Sequence, residues 1–368
     1  MIPMARPELG PEEEAAVLEV MRSGLLAQGE RVRTFEEEFA RTVGARFGIA
    51  TCNGTAALFL ALKVHGIGPG DEVITTPLTF IATGNAIMHA GARPVFADVD
   101  DTLNLSAATA AHLIGPRTRA IVPVHLHGNP CDMRALSNLA SDHGLALIQD
   151  ACQAVGATIG GRPLGNFGTA VYSLYATKNI TTGEGGMVVT NDPDIARIAA
   201  SLRHQAYAAQ PYVHDAVGYN LRMTEMEAAI GLAQLGKLAR ITERRREIAA
   251  YYDRTIDSRF LRPRVLEGSM HVYHQFTLRV PAGSPLTRDE VRAQLERGGV
   301  MTGVHYPVPI HLQPPYRGLR NPACPESERA ASDMFSIPVH PGLSSQDVET
   351  VVARLNELAS RTEKKPAA

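Results

Sequence analysis

Apolar positions recur at helical spacing in two early segments, 12–23 and 31–43. Phe35 and Phe39 lie one helical step apart in the second. Pro11 suits a first-turn position, and Gly24 suits a stop. Residues 47–51 read as a strand leading into Asn53-Gly54-Thr55. The stretch 56–62 that follows is apolar nearly all round, as in a buried helix. Beyond it β-type runs at 72–75, 94–98, 120–124 and 146–149 enclose helical stretches at 82–90 and 133–143, the latter with Asp132 as N-cap. Strands alternating with helices predict βαβ units. Their near-continuous apolar character predicts a mostly parallel sheet covered on both faces, an α/β class.

The capping box Thr224-Glu225-Met226-Glu227 opens a helix to about 238, and a second, arginine-rich helix runs on to about 257. From 258 the texture changes. A strand at 273–280, a helix at 288–297 and a second strand at 300–306 predict a smaller α+β domain over 258–361, after a large domain over 1–257. Residues 362–368 read as a frayed tail.

At 368 residues the chain suits one large domain plus a smaller one. Its 45% apolar and 20% charged residues are those of an ordinary globular enzyme. A formal net charge of −2 advertises neither nucleic acid nor anionic membrane, and the absence of tryptophan argues against a base-stacking surface. Cys52, Cys131, Cys152 and Cys324 have no CxxC spacing, which points to a reducing cytoplasm. The proline-broken start is not a signal peptide, and no apolar run reaches the roughly 18 residues of a membrane helix.

Four places can carry chemistry. Asn53-Gly54-Thr55-Ala56 is a strand-to-helix turn whose free N–H groups favour an anion, although most such turns bind nothing; it is neither a P-loop nor GxGxxG. Asp150 emerges from the carboxyl end of a strand, where open α/β sheets bind ligands and a carboxylate can hold a cationic ring nitrogen; as an N-cap it would be merely structural. Lys178 sits between a β-rich run and the glycine-dense Gly183-Glu184-Gly185-Gly186. In a partly dry pocket such an amine attacks carbonyls to form a Schiff base, whereas an isolated lysine beside glycines is otherwise a surface residue. Ser173, five residues earlier, can donate to a phosphate. The loop Val304 to Gln313, stiffened by Pro307 and Pro309, suits the substrate end of a cleft. Its His305 and His311, like His125 and His127, lack a carboxylate or cysteine at metal-ligand spacing. A phosphate turn, a strand-end Asp and a Lys by a glycine turn, in that order, are what a pyridoxal phosphate (PLP) enzyme requires.

Longer segments carry a resemblance. Asn53 to Leu58 resembles SGTAAL, Thr76 to Thr83 TPxTFxAT, Gln149 to Gln153 EDAAQ, Ser173 to Met187 SFYATKNLTTGEGGM, and Gly218 to Met226 GYNYRMTEMQ. Together they resemble the DegT/DnrJ/StrS sugar aminotransferases, PLP enzymes of fold type I with a seven-stranded-type sheet sandwiched by helices. The departures are Asn53 for Ser, Gln149 for Glu, Cys152 for Ala and Leu174 for Phe.

The resemblance implies that Lys178 carries the cofactor and shuttles protons, and that Asp150 keeps the pyridine nitrogen protonated. It implies that Gln153 lies by the phenolic oxygen and Phe80 on the ring. Gly54, Thr55, Ala56 and Ser173 would hold the phosphate, with Asn220 reaching in from the second subunit of a homodimer with shared sites. It further implies amino transfer from L-glutamate, through pyridoxamine phosphate, to a nucleotide-linked keto sugar. Arg222, His305 and Tyr306 are candidates for that sugar or its diphosphate. The segment at His305 resembles HYPxPxHLQPAY of members acting on 3-keto sugars, which favours a 3-oxo over a 4-oxo substrate. A cyclitol or other non-nucleotide ketone is the alternative, and a non-catalytic regulatory member a remoter one.

Overall fold

The computed structural model describes residues 1–208, 210, 212–319 and 321–361; the expected tail at 362–368 lies outside the described residues. Helices α1 (Pro11–Ser23) and α2 (Glu30–Thr42) come first. Then follow β1 (Phe47–Thr51), α3 (Gly54–Val64), β2 (Glu72–Thr75), α4 (Ala82–His89), β3 (Arg93–Phe96), α5 (Ala107–Ala111), β4 (Thr118–Val122), α6 (Met133–Asp142) and β5 (Ala146–Asp150). The short β6 (Thr158–Ile159) and β7 (Arg162–Pro163) precede β8 (Thr169–Ser173) and β9 (Gly186–Thr190), which flank the lysine loop. Next are α7 (Pro193–Arg203), α8 (Glu225–Thr255), β10 (Ser269–Met270), β11 (Phe276–Arg279), α9 (Arg288–Arg297), α10 (Pro325–Asp333), β12 (Met334–Ile337) and α11 (Ser345–Arg361).

Seven strands form one sheet in the order β1-β9-β8-β5-β4-β2-β3. Strands β8, β5, β4, β2 and β3 pair in parallel, and β9 runs against both its neighbours. The mostly parallel α/β sheet expected from the apolar runs is what forms. β2 and β9 are buried at every residue because helices cover both faces. On one face Leu60 and Ala61 of α3 pack on Val73 and Val188. On the other, Phe35 and Phe39 of α2 pack with Met187 and with Tyr172, whose ring meets Phe39 edge-on at 5.1 Å. The buried Glu225 holds α2 in place: its carboxylate accepts the N–H groups of Gly29 (2.8 Å), Arg31 (3.0 Å) and Val32 (2.9 Å) at the start of that helix.

Two expectations change. The helix pair at 224–257 is one unbroken helix, α8. The strand expected at 300–306 does not form. β11 pairs instead with β12, and Gly303 contributes only a bridge to Ser336. The second hydrophobic cluster does not begin at 258. It takes in Ile248, Ala249 and Tyr252 of α8, and Ile2, whose N–H donates to Gly299. We propose that the smaller unit therefore draws on both ends of the chain and half of α8.

Candidate active site

β5 ends on Asp150, 4% exposed, at the carboxyl edge of the sheet. Its Oδ2 accepts the Thr83 hydroxyl (2.8 Å) and its Oδ1 the Cys152 N–H (3.1 Å), while Thr83 is in turn 3.2 Å from the Thr79 hydroxyl. These bonds orient the carboxylate. At the neighbouring edge Asn53 caps α3, its Oδ1 accepting the Ala56 N–H (2.8 Å). Among the described residues the Gly54 and Thr55 amides meet no acceptor at the positive end of the helix dipole. Gly54 presses on β8 so closely that a Cβ there would lie 2.8 Å from Ser173 Cβ. Ser173 Oγ accepts the Tyr175 N–H (3.4 Å), leaving its own proton to donate to a ligand.

Lys178 sits on the loop between β8 and β9. The loop is closed by Leu174 N–H on Gly185 O (2.8 Å) and Lys178 N–H on Tyr175 O (2.9 Å), and a Cβ on Gly185 would collide with Thr182 Oγ1. The lysine is half-buried. Burial pulls its ammonium pKa below the ordinary value, against a smaller opposing pull from Cys152 and Asp150. More of the amine is therefore neutral, as a nucleophile or proton acceptor must be.

Asn53, Gly54, Thr55, Thr79, Phe80, Thr83, Asp150, Cys152, Gln153, Ser173, Tyr175, Lys178 and Glu184 surround one cleft of about 420 Å³. Phe80, 53% exposed, overhangs it, with Tyr306 at 5.7 Å between ring centroids. The Tyr306 hydroxyl accepts Gln153 Nε2–H (3.1 Å), so its own proton is free. Burial chiefly, then Asp150, raises its pKa, which keeps it a neutral donor. Gln153 Oε1 accepts the His127 N–H (2.6 Å), which fixes the amide's orientation.

His127 ties the segment after β4 to Thr277 of β11 and to His305. Burial lowers its pKa to about 3, so the ring is neutral. Nε2 faces the His305 carbonyl (3.0 Å) and must carry the proton; Nδ1 then accepts from Thr277 (3.0 Å), which accepts from Ser336 (3.2 Å).

The DegT/DnrJ/EryC1/StrS aminotransferase family matches residues 7–356. The chain belongs to this family. It is 41% identical over 360 residues to a protein of Geobacillus stearothermophilus named pleiotropic regulatory protein (95% of each chain). It is 39% identical over 340 residues to the UDP-N-acetyl-3-dehydro-alpha-D-glucosamine 3-aminotransferase of Acidithiobacillus ferrooxidans (91% of this chain, 89% of that one). Among solved structures it resembles DesV of S. venezuelae, determined in complex with a ketimine intermediate, with a TM-score of 0.91 at 37% identity (96% of this chain, 95% of that one).

Of the residues singled out from the sequence of this aminotransferase, Lys178, Asp150, Gly54, Thr55, Phe80, Gln153 and Ser173 share the cleft, and Tyr306 reaches it through Gln153. Ala56 does not line it, and its amide is already taken by Asn53. Asn220 and Arg222 stand apart from the cleft and bond to each other, Arg222 Nε to Asn220 Oδ1 at 2.9 Å. His305 is placed by its carbonyl on His127. Sequence reasoning missed Thr83 as Asp150's partner and gave His127 no role beyond an unsupported metal reading. Among the described residues no cluster of three or more His, Cys, Asp or Glu could hold a metal, and no helix is long and apolar enough to cross a membrane.

Proposed function

We propose that this aminotransferase uses PLP held by Lys178, Asp150, Gly54, Thr55, Ser173, Gln153 and Phe80, and moves an amino group from L-glutamate to a keto group of a nucleotide-linked sugar. The convergence of Asp150, Lys178 and the Gly54–Ser173 cradle on one cleft carries this reading. The residues fit the group. Free helix-start amides and a serine hydroxyl suit a phosphate, a buried carboxylate suits a protonated ring nitrogen, and an overhanging aromatic suits a ring face.

When bound, PLP supplies the electron sink for cleaving the Cα–H bond of the donor. Asp150, oriented by Thr83 and the Cys152 amide, holds the proton on the ring nitrogen. Lys178 takes the donor's α-proton at Nζ, and its lowered pKa lets it release that proton again. Gln153 and Tyr306 present N–H and O–H donors at the same wall. Phe80 and Tyr175, exposed at the cleft mouth, exclude water once a substrate covers them.

The 3-oxo preference is supported by the His305–Gln313 segment and by the likeness to a 3-aminotransferase. A homodimer is supported by the exposed Tyr212 and Val217 and by Asn220 lying free of its own cleft; the partner's Asn220 would complete the phosphate site. The intact Lys178, Asp150 and Ser173 speak against a purely regulatory role.

The reading is tested by absorbance. Protein supplied with PLP should develop the visible band of a lysine-bound cofactor, and Lys178→Ala should lack it. Absence of the band from the unaltered protein overturns the reading. Incubating the pyridoxamine form with 3-keto and 4-keto nucleotide sugars, and with cyclitol ketones, then identifies the substrate by return of the band.

A further inference from the structure

Helix α4 begins without a side-chain cap, because Ile81 stands at the cap position and offers no acceptor. Yet the turn at its start carries two residues of the cleft, Phe80 and Thr83, and Thr83 holds the Asp150 carboxylate at 2.8 Å. That turn is gripped by a segment remote in sequence. The Ile310 N–H donates to the Pro77 carbonyl (2.8 Å). The Tyr316 hydroxyl, 231 residues on from its partner, donates to Asn85 Oδ1 (2.5 Å). It also lies against Gly84, where a Cβ would be 2.9 Å from the hydroxyl oxygen. Tyr306, on the same segment, sets its ring 5.7 Å from that of Phe80.

Tyr316 is a firm anchor. It is 1% exposed, packed with Ile310 and Cys324, and edge-on to Phe96 at 5.9 Å. Phe96 ends β3, so the ring is tied to the sheet. On a helix, positions 83 and 85 lie about 200° apart, on opposite sides. The first turn of α4 is therefore held between two fixed oxygens. Asp150 binds it through Thr83 on one side, and Tyr316 binds it through Asn85 on the other. An O–H···O bond tolerates a range of only about 0.5 Å. A turn that slid by that much would take Thr83 out of reach of Asp150.

Resting on the aminotransferase reading above, we infer that Tyr316 is a positioning residue of the reaction: its hydroxyl, through Asn85 and Gly84, holds the start of α4 so that Thr83 meets Asp150. Tyr316 does not line the cleft and acts only through the helix. The segment that carries Tyr306 thereby also governs the carboxylate expected at the cofactor's ring nitrogen.

The test is a double-mutant cycle of Tyr316→Phe and Thr83→Val. Three quantities are read: the dissociation constant for PLP, the maximal rate at which L-glutamate bleaches the visible band of the PLP-loaded protein, and the urea midpoint. Alone, Tyr316→Phe should lower the bleaching rate and weaken PLP binding by roughly 3- to 10-fold each, the effect of losing one hydrogen bond. The half-saturating L-glutamate concentration should stay near normal. In the Thr83→Val background the same change should cost less than about twofold, because the bond it acts through is already gone. Asn85→Ala removes the Tyr316 bond from its other end and should repeat the pattern, which decides the matter if the phenylalanine variant misfolds. Equal losses in both backgrounds overturn the inference. So does a folded Tyr316→Phe that loses urea stability but neither rate nor PLP affinity, since the tyrosine is then structural only. A wild-type protein without the visible band overturns the functional reading itself.

Discussion

The Thr83 hydroxyl lies 2.8 Å from Asp150 Oδ2 and gives a buried carboxylate its only side-chain donor among the described residues. Thr83 is reached from Phe80 in a single turn, since its N–H donates to the Phe80 carbonyl (3.2 Å). One hydroxyl thus joins the residue expected under the cofactor nitrogen to the one expected over its ring. Thr83→Val keeps the shape and removes the donor. Loss of a hydrogen bond to a charged group, about 1.5–3 kcal/mol, should lower turnover roughly 10- to 100-fold, and Thr83→Ser should retain most of it. Near-normal turnover in the valine variant would show that the Cys152 amide alone orients Asp150.

Gly54→Ala places a methyl group 2.8 Å from Ser173 Cβ. Neither β8 nor α3 can yield cheaply, because both are packed into the same core. The variant should fold yet bind PLP far more weakly, as measured by cofactor retained after dialysis. Equal retention would mean that the phosphate does not rest on this turn.

Glu225→Gln tests the scaffold apart from the chemistry. A neutral amide is a weaker acceptor for three N–H groups at the start of α2. A stability loss of about 1–2 kcal/mol in urea unfolding, with an unaltered cofactor spectrum, is expected.

Acid should destabilise the protein through its buried histidines. Burial lowers His125 to about 4 and His127 to about 3 in the folded state, while an unfolded histidine titrates near 6.5. The unfolded chain therefore binds protons that the folded one refuses. Stability falls as pH drops below about 6.5 and keeps falling toward the folded values. The urea midpoint should be lower at pH 5 than at pH 7.5, with proton uptake on unfolding at the lower pH. A flat profile over that interval would contradict it.

What could be read from the chain was whatever is local. The strand ending on Asp150, the turn at Gly54 and the loop at Lys178 each announce themselves within ten residues. The single helix α8 did not, since the arginine-rich stretch beyond about 238 reads as a second helix; the buried residues from Ala228 to Tyr252 carry one helix straight through that point. The strand expected at 300–306 lost to Met334–Ile337, a run too short to stand out before its partner β11 is known. Thr83 and His127 stayed illegible because their partners are remote: 67 residues away for Asp150, and 26, 150 and 178 for Gln153, Thr277 and His305.

The 31 residues of α8 make a rod of about 46 Å. Its first turns clamp the start of α2, and its last turns lie inside the second core. The rod leaves the molecule without a seam. A protease or an engineer cutting near 257 severs no linker between finished halves; it strips the downstream piece of Ile248, Ala249, Tyr252 and Ile2 together. Neither fragment should hold its shape, and the cleft should vanish with the first cut rather than survive on the larger piece.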